Sequence, residues 1–277
     1  MSSISGAKTK DEAPGTRSAD VVASKAGFFQ DLVSVAIRAL RQIPREPEAI
    51  IPALIIPFFF FVVNVGALGD IAGRVGVSDF KAFQLPVAII FAVTGISRAS
   101  ALVTDITGGY FDRLLLTPVN RMALLLGLMV ADFALVVALC IPVLILGFIV
   151  GVGFSTGVPG LLLFLLLAGL WGLAFTGFPY AIALKTGNPA AVNSSFILFF
   201  PFAFLTTTFL PQEALTGWLS TISDFNPVTY LLAALRSLLT GGWQAAPLLK
   251  GLAAIAAVAA LSFTLAMTAL RGRVSRG

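Results

Sequence analysis

Histidine is absent from these 277 residues, and cysteine occurs once, as Cys140 within an apolar run. The first absence removes the commonest general base, the commonest metal ligand and any simple imidazole pH sensor. The second excludes a disulfide framework or cysteine metal cluster and leaves Cys140 as a small packed hydrophobe. Charge is scarce too: Asp, Glu, Lys and Arg make up 11% of the chain against 58% hydrophobic residues, with a mean hydropathy of +0.98. So little polar surface cannot enclose a water-soluble globule, and the chain reads as an all-α integral membrane protein. No G-x-x-x-x-G-K-[ST] phosphate loop occurs; residues 6–10 fail its spacing, and Gly151-Val152-Gly153 falls in a turn. The chain is expected to be no enzyme and to hold no metal or nucleotide of its own. The net charge of +5 fits basic cytoplasmic loops better than nucleic-acid binding.

Residues 1–26 are polar and lack an apolar signal-peptide core, so they are expected to form a disordered cytosolic tail. From Gly27 to Pro47 the apolar positions Phe28, Phe29, Leu32, Val33, Ala36, Leu40 and Ile43 recur at helical spacing between Gln30, Asp31, Arg38 and Arg41. This pattern predicts an amphipathic helix at the membrane interface, ended by Pro44 and Pro47. Residues 48–277 then hold six apolar runs, at 49–68, 83–103, 119–150, 158–184, 191–210 and 248–270. Each is expected to cross the roughly 30 Å hydrocarbon layer. Pro52, Pro57, Pro142, Pro179 and Pro201 are expected to kink their helices. With the N-terminus inside, all Lys and Arg residues except Arg74, Lys81, Arg236 and Lys250 fall on the cytoplasmic side, so both termini are expected there.

The loop between the second and third runs is DITGGYFDRLLLTPVNR, Asp105 to Arg121. Gly108-Gly109 ends one helix, and Thr117-Pro118 supplies the capping residue and first position of the next. Between them Tyr110, Phe111, Leu114 and Leu115 form an apolar face opposite Asp112 and Arg113, in a helix of about two turns that is unstable alone in water. It needs a partner surface, and lipid and protein fit it equally well. Downstream, the segment 211–247 is too polar at 212–227 to span, yet apolar over 228–240 apart from Arg236. It reads as re-entrant helices under an external cap, with Trp218 and Trp243 near the interface.

The run from Gly109 through Asp112, Arg113, Leu114, Leu115, Thr117 and Pro118 to Arg121 resembles the signature of ABC-2-type transporter permeases of the daunorubicin-resistance branch. Pro211, Glu213, Trp218, Asn226, Pro227, Thr229, Tyr230 and Arg236 match a second motif of that family, and Arg38 with Arg45-Glu46-Pro47 a third. One departure is that Ile106, Thr107 and Gly108 stand where the family commonly has a charged pair. The resemblance implies that 109–118 is a coupling helix seated in a separate ATPase, which would handle ATP and Mg. It also implies that Pro211, Glu213, Trp218, Asn226, Pro227, Tyr230 and Arg236 belong to an external gate. It further implies two ATPase subunits per transporter, a second permease chain, identical or homologous, and a small amphipathic cargo such as a drug, natural product or lipid. Polysaccharide or glycoconjugate export, a secondary transporter and a non-transporting scaffold are the alternative readings.

Two further sets of residues stand out. Asn193, Ser194, Ser195, Phe196, Phe199 and Phe200 mix small polar groups with aromatics and suit either a translocation lining or helix packing. Arg98 and Asp132 are charges within apolar runs, candidates for an ion pair between the second and third spans.

Overall fold

The computed structural model describes residues 27–42, 47–74, 76–94, 96–109 and 121–274, and among them every regular element is helical. Helices α1 (Phe28–Gln42) and α2 (Pro47–Arg74) precede α3 (Phe80–Thr94) and α4 (Ala99–Thr107), and α5 (Arg121–Ile149) and α6 (Gly157–Thr186) follow. The short α7 (Pro189–Ser194) and α8 (Phe199–Phe204) flank a 3-10 turn at Ser195–Leu198. Then come α9 (Gly217–Phe225), α10 (Pro227–Arg236), a π-turn at Ser237–Gly241 and the long α11 (Ala245–Val274).

Local chemistry explains several of the starts. Asn188 and Asn226 each precede a proline, and each side chain accepts a hydrogen bond from the backbone N–H two residues on, Ala190 and Val228, both at 2.9 Å. The asparagine thereby satisfies one of the orphan amides of a helix whose first position the proline occupies at no cost. Asp79 does the same for α3, accepting from the Ala82 N–H at 3.0 Å.

Among the described residues five stretches are long and apolar enough to cross a membrane: Ile50–Arg74, Phe80–Thr107, Leu125–Ile149, Gly157–Thr186 and Ala245–Arg273. The run expected at 191–210 is built differently. Its helix covers Pro189–Phe204 in two six-residue pieces around the 3-10 turn, and 205–210 is non-helical. At 1.5 Å per residue that stretch is about 24 Å long, short of the hydrocarbon thickness. The prolines do not mark the breaks. Pro52, Pro57, Pro142 and Pro179 lie inside uninterrupted helices, whereas the second span breaks at 96–98, where no proline stands.

Helices α3, α5 and α6 form the centre, and 76% of the apolar stretch of 80–107 is buried, against 17% for α2 and 22% for α11. Buried side chains gather in two clusters along the bundle. One lies around Phe164, Trp171, Phe199 and Leu231, the other around Leu102, Ile106, Tyr180 and Leu184. Helix α11 lies along α6 and reaches it closely at Gly177, where a Cβ would stand 2.6 Å from the Ser262 carbonyl carbon. Ser262 in turn donates its hydroxyl to the Ala174 carbonyl. Gly177→Val is therefore expected to force the two backbones apart and lower stability by about 2 kcal/mol. Gly69→Ala on α2, whose added Cβ meets nothing within 4 Å, is expected to be neutral or slightly stabilising. Thermal midpoints of the purified proteins in one detergent compare them.

Helix α1 has two unlike faces. Ala36 and Ala39 are buried, and Val35 packs so closely on α5 that a Cβ at Gly127 would meet its Cβ at 2.8 Å. Phe29, Val33 and Ile37, spaced one turn apart, are exposed.

Candidate functional site

A cavity of about 650 Å³ lies between α2, the α3–α4 break, α6 and α7. That volume suits a drug-sized molecule. Pro52, Ala53, Ile56 and Pro57 of α2 form one wall, and Phe91, Phe175 and Phe196 supply ring faces and edges. Thr94, Ser97, Ser100, Thr104, Asn193 and Ser195 bring hydroxyl and amide groups to the same space, and Arg98 adds a cation. Such a lining sets flat apolar surface, at the rings and prolines, beside polar groups at the hydroxyls.

Among the residues expected to line a route, Asn193, Ser195 and Phe196 face this cavity. Ser194 turns its hydroxyl back to the Ala190 carbonyl of its own helix, at 2.9 Å. Phe199 is fully buried against Phe91, Phe175 and Phe196, with ring centroids at 5.5, 5.7 and 5.8 Å, and Phe200 stacks on Phe204 at 5.8 Å. The 3-10 turn accounts for part of the division: at three residues per turn instead of 3.6 it rotates Phe200 away from the face an α-helix would give it, and it brings Phe199 onto the side of Phe196, its packing partner.

The break in the second span is buried, and its polar groups find partners on other helices. Asp132 of α5 accepts the Arg98 backbone N–H on Oδ1 at 2.9 Å and the Tyr180 hydroxyl on Oδ2 at 2.7 Å. Arg98, Asp132 and Tyr180 are 3%, 1% and 0% exposed. Asp132 thus meets Arg98 at its main chain, in the capping position of α4. One turn away, Trp171 Nε1 donates to Thr94 Oγ1 at 3.0 Å, closing the end of α3.

At the opposite end of the bundle, the non-helical 205–210 segment is held by side chains from three directions. Asn226 Nδ2 donates to the Phe202 and Leu205 carbonyls at 2.7 and 2.8 Å, and Gln84 Nε2 to the Thr208 carbonyl at 3.0 Å. Arg236 donates from Nε to the Phe83 carbonyl at 3.0 Å and from its terminal nitrogens to Thr207 Oγ1 and the Thr207 carbonyl at 2.9 and 2.8 Å. Its guanidinium also lies 3.4 Å from the Phe83 ring centroid. Thr206 and Thr229 hydroxyls meet at 2.6 Å, and the Tyr230 hydroxyl donates to the Asp224 carbonyl. These bonds let irregular backbone lie within an apolar bundle, which is tolerable only where protein groups satisfy it. Of the expected gate residues, Asn226 and Arg236 bond this segment, Pro227 follows Asn226 at the start of α10, and Tyr230 bonds Asp224 of α9. Pro211 and Glu213 flank the segment in a short turn, and Trp218 is 68% exposed on α9.

Residues 30–240 match the ABC-2 type transporter family. The chain belongs to that family. Among its relatives is the daunorubicin resistance ABC transporter permease protein DrrB1 of Streptomyces coeruleorubidus, 29% identical over 211 residues that cover 74% of this chain and 73% of that one. The probable doxorubicin resistance ABC transporter permease protein DrrC of Mycobacterium tuberculosis (strain CDC 1551 / Oshkosh) is 25% identical over 76% of this chain and 78% of its own. The putative transport permease ycf38 of Cyanophora paradoxa is 28% identical over 76% and 74%.

In this ABC-2 permease the segment expected to couple to an ATPase leaves α4 at Gly108 and Gly109, the latter with φ +70°. Its remaining residues, Tyr110, Phe111, Asp112, Arg113, Leu114, Leu115, Thr117 and Pro118, lie outside the described residues. The stem before it is tied to α1, because Arg38 pairs with Asp105 at 3.3 Å. Tyr180, Gln84, Trp171 and Thr207 escaped the sequence reading. Each is a polar group inside an apolar run, and that signal marks a buried hydrogen-bond node without saying which helix supplies its partner.

Proposed function

We propose that this permease is the membrane subunit of an ATP-driven exporter that carries an amphipathic drug, natural product or lipid out of the cytoplasm. The cavity between α2, α4, α6 and α7 carries this reading, since its size and its mixture of rings and hydroxyls fit such a cargo. The basic residues gathered at the ends of α1, α6 and α11 favour placing those ends, and with them the cavity, on the cytoplasmic side. The chain then crosses six times, the broken α7–α8 stretch making the fifth crossing together with the 205–210 segment. The exposed stripe of α1 lies in the inner leaflet, and the Arg236 node seals the outer end. Two such chains and two ATPase subunits make the working transporter. ATP closes the ATPase pair, and the 109–118 helices move the two permease halves between inward-open and outward-open states.

Co-purification with the ATPase subunit, followed by measurement of cargo-stimulated ATP hydrolysis, tests this. Tyr110→Ala and Phe111→Ala each remove an aromatic anchor from the docking helix. Each is expected to weaken ATPase binding about thirtyfold, the effect of losing roughly 2 kcal/mol at an interface. Binding and stimulation at the unsubstituted level in both variants would exclude docking through this helix.

A further inference from the structure

Helices α6 and α11 have 30 residues each. At 1.5 Å per residue each is about 45 Å long, against about 30 Å of hydrocarbon and 40–45 Å with the headgroups, so their last turns lie at the level of lipid phosphates. Those turns carry Lys185, Arg271 and Arg273, and neither helix contains an Asp or Glu. Among the described residues none forms a hydrogen bond or ion pair with any of the three side chains. Arg273 is nonetheless half-buried, with its Nε closed off from solvent. The close approach of Gly177 to Ser262 fixes which sides of the two helices face each other. Arg273 comes eleven residues after Ser262, about three turns on, and so stands on the side of α11 that faces α6. Lys185 directly follows Leu184, which shares a buried cluster with Ala269 and Leu270 one turn before Arg273. Arg271 comes nine residues after Ser262, about two and a half turns on, and points the opposite way, exposed.

We propose that the ends of α6 and α11 hold the phosphate of an anionic phospholipid between Arg273 and Lys185. A half-buried guanidinium with no acid to pair it is costly, and an anion supplied from outside the chain offsets that cost. The guanidinium fork matches two phosphate oxygens, and the lysine adds a point charge beside them. The C-termini of the two helices contribute about half a negative charge each, which leaves the three cations with an excess of about two. That excess favours a headgroup of net negative charge over one whose phosphate carries its own ammonium. The acyl chains find apolar surface along α11, where Leu261 and Leu265 are exposed one turn apart. No residue of α11 lines the cargo cavity, so the inference stands apart from the cargo reading.

Native mass spectrometry of the full-length permease in a neutral detergent tests this. Titration with phosphatidylglycerol, or with phosphatidylethanolamine of the same acyl chains, gives a dissociation constant for each lipid. Phosphatidylglycerol is expected to bind about twentyfold more tightly, at about fivefold for each cation in excess. Arg273→Gln and Lys185→Gln are each expected to weaken it about fivefold, and Arg271→Gln, on the far side of α11, less than about twofold. Lys185 is exposed, so its variant carries the test if Arg273→Gln fails to fold. Equal binding of the two lipids overturns the site. An Arg271→Gln loss as large as that of Lys185→Gln also overturns it, since it shows a general attraction of the basic surface. Inorganic phosphate that displaces phosphatidylglycerol at equal concentration makes the ligand a free anion and not a lipid. A lower thermal midpoint for Arg273→Gln in lipid-free detergent, with lipid binding unchanged, assigns Arg273 to the last carbonyls of α6 and removes it from any lipid site.

Discussion

Replacing Arg236 with methionine is expected to destabilise the permease by about 3 kcal/mol, more than most single substitutions do. The guanidinium makes three hydrogen bonds, at 3.0, 2.9 and 2.8 Å, and stacks on Phe83 at 3.4 Å. Methionine fills much of the same space, so the loss comes from polar groups rather than from a void. The Thr207 carbonyl belongs to non-helical backbone and has no ladder to return to, and a buried acceptor without a donor costs about 1–3 kcal/mol. Loss of the cation–π contact adds about 1 kcal/mol, and the half-buried position of Arg236 limits the total. Arg236→Lys is expected to recover less than half. An ammonium is a point charge on a flexible stem and cannot reach the Phe83 and Thr207 oxygens in one plane while lying flat on a ring. Unfolding by heat or by titrated denaturing detergent measures both variants. A lysine variant as stable as the unsubstituted chain would show that charge alone, and not the planar fork, holds the 205–210 segment.

Asp132→Ala is expected to cost about 4 kcal/mol. It strands two fully buried donors at once, the Arg98 backbone N–H and the Tyr180 hydroxyl, each worth about 1–3 kcal/mol when left without an acceptor. Tyr180→Phe removes its own donor with it, so the expected loss is smaller, about 1.5 kcal/mol. Once Tyr180 is phenylalanine, Asp132→Ala strands one donor instead of two. The double variant is therefore expected to be more stable than the sum of the single losses by about 1 kcal/mol, the coupling a double-mutant cycle measures between touching groups. Asp132→Asn keeps one carbonyl oxygen for the Arg98 amide and is expected to lie between alanine and the unsubstituted chain. Simple additivity of the two losses would mean that Tyr180 and Asp132 do not share a node.

Much of the chain could be read from its residues because the signals were local or compositional. The scarcity of charge established a membrane protein, and the spacing of Asp112-Arg113-Leu114-Leu115 and Asn226-Pro227 carried the family resemblance. The helix starts at Pro189 and Pro227 follow from an asparagine and a proline in sequence, with no help from the rest of the molecule. The site was less legible. Half of the residues expected along a route face the cavity; Ser194 bonds back to its own helix, and Phe199 and Phe200 pack among other rings beyond a 3-10 turn that no periodicity announces.

By itself, then, the sequence determined class, family and the chemistry available, since each depends on which residues are present and on their immediate neighbours. Only the tertiary structure decided where the spans break. Prolines inside α2, α5 and α6 leave those helices whole, while the second span parts at 96–98, where a carboxyl group from α5 stands ready to take the Arg98 amide. An interrupted helix in an apolar bundle must find partners for its freed backbone groups. Those partners come from Asp132, thirty-four positions away, and from Arg236, twenty-nine positions beyond Thr207.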